Sequence, residues 1–65
     1  MADIIITNHG TLTVLHAMNE AATEWLHKRL DPDVQRFGDG FVVEPRYLEP
    51  IIEGAVNSGF EVEAS

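Results

Sequence analysis

The apolar residues of this chain switch back and forth between two spacings, and the order of the switches limits the fold more than any motif does. Residues 3–7, DIIIT, are dominated by β-branched side chains that suit a pleated surface. In the NHG that follows, Asn8 and Gly10 can take positive φ and predict a turn. Leu12 and Val14 alternate with threonines in TLTVLH, residues 11–16, which reads as the returning strand of a hairpin. The spacing then lengthens. Met18, Ala22, Trp25, Leu26 and Leu30 trace one side of a helix capped by Asn19, with Glu20, Glu24 and Lys28 outside at i, i+4. Pro32 disfavours helical geometry at Asp31, so DPD at 31–33 ends that helix.

The second half repeats the order. VQRF at 34–37 and FVVE at 41–44 flank GDG, and Asp-Gly between apolar runs predicts a hairpin turn. Pro45 is expected to close the second strand. Tyr47, Leu48, Ile51, Ile52 and Ala55 then return to helical spacing. A proline at position 50 fits only near a helix start, which places that start near residues 46–48. Gly54 costs the helix about 1 kcal/mol relative to alanine and marks a close approach by a neighbour. Gly59 is a natural C-terminal cap, and FEVEA at 60–64 alternates as a last strand. The order β-β-α-β-β-α-β predicts an α+β fold: an antiparallel sheet of about four to five strands with two helices on one face.

At 65 residues this is one compact domain, 1–65, which buries roughly 60% of its unfolded surface. It has no cysteine, so neither disulfide nor thiolate metal site staples it, and a reducing compartment fits. The apolar runs are too short to span a bilayer, and MADIII lacks the pattern of a secretory signal. The expectation is a cytoplasmic, soluble monomer.

Motifs for chemistry are missing. His9, His16 and His27 lack the spacing of a zinc site, Ser58 and Ser65 lie in no nucleophile context, and GDG is not a calcium loop. Outward glutamates keep ordinary acidity, whereas general-acid work needs a desolvated carboxyl. Neither an enzyme nor a cofactor is expected. Trp25, Phe37, Phe41 and Phe60 read as core residues, since a base-stacking platform needs cations beside it.

Charge is the remaining signal. The net charge is −7, and residues 31–65 carry eight acids against Arg36 and Arg46. A field of one sign disfavours nucleic acid and anionic lipid and favours a basic partner. Solubility alone accounts for a charge of up to about 8, so arrangement matters more than magnitude. Glu49 and Glu53 fall one helical turn apart, roughly 6 Å along the axis. Glu61 and Glu63 fall about 6.8 Å apart on one strand face. With Asp39 in a turn and Glu44 at a strand end, these six are the candidate contact residues, and Asp31 and Asp33 lie between the halves. Such a row can stand in for a phosphate track, provided Lys28, Arg29, Arg36 and Arg46 do not neutralise it.

The pattern ITNHGTLTVLHAMNEAATEWLHKRL, then FGDGFVVEPRYLEPIIEGAVNSGFEVE, resembles small acidic proteins of phages and mobile elements, specifically anti-CRISPR inhibitors of type I-C systems. The likeness spans nearly the whole chain but rests on structural motifs. It implies binding to the surveillance complex at its Cas8-type subunit, where the protein would compete as a DNA mimic for the site that reads the protospacer-adjacent motif. The rival reading is an antitoxin-like or scaffold module that binds a protein through an apolar patch around Leu15, Val42 or Tyr47.

Overall fold

The structure, a computed structural model, describes residues 1–30, 33–38 and 40–64, Phe37 by its backbone alone. The expected helix stop at Asp31 and Pro32, the Asp39 turn and the core role of Phe37 lie outside the described residues. The elements run β1 (Ile4–His9), β2 (Leu12–Ala17), α1 (Glu20–Arg29), β3 (Arg36–Phe37), β4 (Gly40–Val43), α2 (Pro45–Asn57) and β5 (Val62–Ala64). This is the α+β order the spacing predicts. The strands form one five-stranded sheet in the order β3-β4-β2-β1-β5.

The first hairpin is tighter than NHG suggests. Pairing runs from Ile4↔Ala17 to His9↔Leu12, so the turn is Gly10–Thr11, with Gly10 at φ 71°. Strand β4 joins β2 antiparallel, with Leu15 opposite Phe41, and β3 joins β4 in the same sense. The outer strand differs from expectation: β5 lies parallel to β1, with Ile4 opposite Val62, so the sheet is mixed. The reason is α2. A helix returning across the sheet delivers the next strand in the direction of the one before it, and β4 already runs parallel to β1.

Pairing puts Ile4, Leu15, Phe41 and Val43 on one face, and there they pack with Ala22 and Leu26 of α1 and Ala55 of α2. Both helices therefore cover the same side. Trp25, Leu48, Ile51, Phe60 and Val62 close the edges of this core. Leu15 is only 1% exposed, so it belongs to the core and not to a surface patch. Met18 lies before the helix and is 54% exposed, outside the stripe assigned to it. On the opposite face Gly40 makes room for Val14: a Cβ at Gly40 would run into Val14 Cγ1.

Both helix ends follow local chemistry. Asn19 caps α1, its Oδ1 accepting from the Ala22 amide at 2.8 Å. Helix α2 begins earlier than expected because Pro45 opens it at the first turn instead of closing a strand. That leaves Pro50 inside the helix, where it offers no amide to the preceding turn. At the far end the Phe60 amide donates to Ala55 O and the Gly59 amide to Val56 O, both at 3.0 Å, with Gly59 at φ 91°. This is a Schellman motif, which only a glycine closes without strain.

Candidate acidic interface

Helix α2 sets out the first group of carboxylates. Its core stripe, Leu48, Ile51 and Ala55, turns Glu49 and Glu53 outward, and both are exposed. They line a shallow groove of about 470 Å³ floored by Pro50 and Gly54, with Arg29 and Arg46 on its walls. Among the described residues, no lysine or arginine lies within ion-pair reach of either carboxylate. Glu44 is different. It holds the N-cap position of α2 but its side chain makes no capping hydrogen bond; its Oε2 accepts instead from Arg46 Nε at 2.9 Å. Both partners are largely exposed, so the pair contributes little stability, yet it cancels the charge of Glu44 locally.

Strand β5 and the residue before it set out the second group. Glu61 and Glu63 alternate with Val62, which turns toward the core, and both are exposed. The Glu61 carboxylate has the N-terminal amine at 3.9 Å as its ion-pair partner among the described residues. The structure thus places the candidates as a helix pair, Glu49 and Glu53, and an edge-strand pair, Glu61 and Glu63. Glu44 is neutralised beside the first pair, and Asp39 lies outside the described residues.

Two features of this surface are missing from the sequence reading. The first is Asp3, whose carboxylate accepts from the Glu61 amide at 2.8 Å and the Asn19 side-chain amide at 2.7 Å. The Glu61 amide, then the Asn19 amide, hold the Asp3 carboxyl below its ordinary value of 3.8. The second is the setting of Arg29. Its guanidinium lies over Trp25, 5.2 Å from the ring centroid, and against Gly54, where a Cβ would stand 2.5 Å from an Arg29 terminal nitrogen. The gap at Gly54 was the available sequence signal; its occupant was not.

The other candidate chemistry has no matching cluster. Among the described residues, no group of three or more His, Asp or Glu is arranged to hold a metal ion. His27 packs edge-on to Phe41, ring centroids 5.2 Å apart, and Trp25 packs on Phe60 at 5.7 Å. A second cleft, about 600 Å³, is lined by Leu30, Val34, Val43, Ile51 and a half-exposed Tyr47 beside the polar Arg29, Asp33, Gln35 and Glu44. Val42 also lines it, so two of the positions named for an apolar patch do meet there. Among the described residues, no helix is long and apolar enough to cross a membrane. In comparisons with known proteins, the chain matches no family model, no curated protein and no solved structure.

Proposed function

We propose that this protein is a non-catalytic inhibitor that sets its carboxylates into a basic, DNA-reading surface and so keeps DNA out. The observation that carries the reading is the placement of Glu49, Glu53, Glu61 and Glu63. Glu49 and Glu53 project from α2 and Glu63 from β5, with Glu61 just before that strand; among the described residues none has a lysine or arginine partner, and Glu61 has the N-terminal amine at 3.9 Å. Charges carried on an ordered backbone need only their side chains ordered on binding, so they can substitute for phosphates without a backbone folding cost. The resemblance of the chain narrows the target to a type I-C CRISPR effector and its Cas8-type subunit, in the cytoplasm of a bacterial host. Binding there is competitive with target DNA and needs no cofactor.

The test is a competition assay with purified effector, target duplex and this protein. Wild type is expected to block duplex binding in proportion to its concentration. The variant with Glu49, Glu53, Glu61 and Glu63 all changed to Lys is expected to fold, by circular dichroism, and to lose the block. A folded quadruple variant that still inhibits, or a wild type that does not, removes the reading. The cleft at Tyr47 and Val42 favours a second reading, a module that binds protein through an apolar contact. Inhibition indifferent to salt and lost on Tyr47→Ala selects it instead.

A further inference from the structure

We infer that the outer edge of β5 takes an extended, basic segment of a partner protein as a further strand. β5 ends the sheet, so one of its edges is open. The Ile4 amide donates to Glu61 O at 3.1 Å, and the register Ile4↔Val62 turns the backbone groups of Glu61 and Glu63 toward β1. Those of Val62 and Ala64 therefore point outward, a half-ladder that strand addition completes. The side chains select the strand that fits. Asp3, Glu61 and Glu63 gather at this end of the sheet, with the exposed N-terminal amine, 3.9 Å from Glu61, as their cation among the described residues. The edge keeps a net negative charge. Two copies paired edge to edge would set Glu63 against its like, so β5 repels itself. A strand with Lys or Arg at every second position does the reverse. Running antiparallel to β5, it places Glu63 at a non-hydrogen-bonded position, where facing Cα atoms stand about 4.5 Å apart and side chains are closest. One cation meets Glu63 there and the next meets Glu61, while the residues between them bond to the backbone of Val62 and Ala64. The inference stands apart from the inhibitor reading, since it concerns a strand of protein and not the place of a DNA duplex.

The test is an NMR titration of the purified chain with a short peptide alternating lysine and valine, up to about 1 mM. The peptide is expected to bind and to slow hydrogen exchange at the Val62 and Ala64 amides. A peptide alternating lysine and proline carries the same charge but lacks the donors that would face β5, and is expected to bind at least about tenfold more weakly. Ala64→Pro removes one outward amide and no bond to β1, and is expected to weaken binding of the lysine–valine peptide while the fold, by circular dichroism, is kept. Glu61→Lys with Glu63→Lys is expected to abolish it. A lysine–valine peptide that does not bind, or a lysine–proline peptide that binds as well, overturns the inference, and this comparison on wild type holds even should the Ala64 variant unfold. No effector or DNA is present, so failure here and failure in the competition assay are separate results.

Discussion

Asp3 and Glu61 are joined twice, the Asp3 amide donating to the Glu61 carbonyl at 2.9 Å and the Glu61 amide donating to the Asp3 carboxylate at 2.8 Å. The same carboxylate also takes the side-chain amide of Asn19, the cap of α1. One half-buried acid therefore ties the start of β1 to the cap of α1 and the approach to β5.

Because the folded Asp3 carboxyl titrates below its ordinary value of 3.8, its contribution is fully present above that pH. It is lost as pH falls from there through the lower folded value. Asp3→Asn is expected to lower the melting temperature at pH 7 and to flatten the acid limb below pH 3.8. Thermal melts across that range check both. An unchanged acid limb would show that other carboxylates set it. Asn19→Ala, which removes the cap as well, is expected to cost about 1 kcal/mol.

Gly40 is required for space. Val14 is fully buried against it, so Gly40→Ala is expected to destabilise by about 1–3 kcal/mol in urea unfolding. Val14→Ala in the same chain should cost less than the sum of the two single changes, because the clash is then gone. Simple additivity would place the cause elsewhere.

Pro50 is a local fault in α2. Pro50→Ala supplies the missing amide to the turn above and is expected to stabilise by roughly 1–3 kcal/mol. A loss of stability would mean that the ring packs usefully in the groove it floors.

The proposed inhibitory surface should respond to ionic strength. Raising salt from about 0.05 to 0.2 M is expected to weaken effector binding on the order of tenfold, chiefly through slower association. Single changes of Glu49, Glu53, Glu61 or Glu63 to Gln are expected to cost under about 1 kcal/mol each. Surface plasmon resonance separates the two rate constants.

Local chemistry was legible in the sequence and distant pairing was not. Period-two and helical spacing order the elements, and the Asn19 cap and the Gly59 terminus follow from residue type alone. Pro45 misleads because a proline after a strand and a proline opening a helix look the same until the helix is placed. The parallel docking of β5 on β1 joins segments near opposite ends of the chain, which no window of sequence contains. The outward direction of Glu49 and Glu53 follows from the 3.6-residue period. That Arg29 and Arg46 share their groove follows from how α1 lies against α2, which periodicity does not encode.

The pairing of β1 with β5 also sets a timetable for synthesis. As the chain leaves the ribosome, β1 must wait with one edge bare until nearly everything else has emerged. Partial chains therefore carry an unprotected strand, open to capture by a chaperone or by a neighbouring copy. Folding completes only with the last contact made, so the protein should fold more slowly than helical domains of its size.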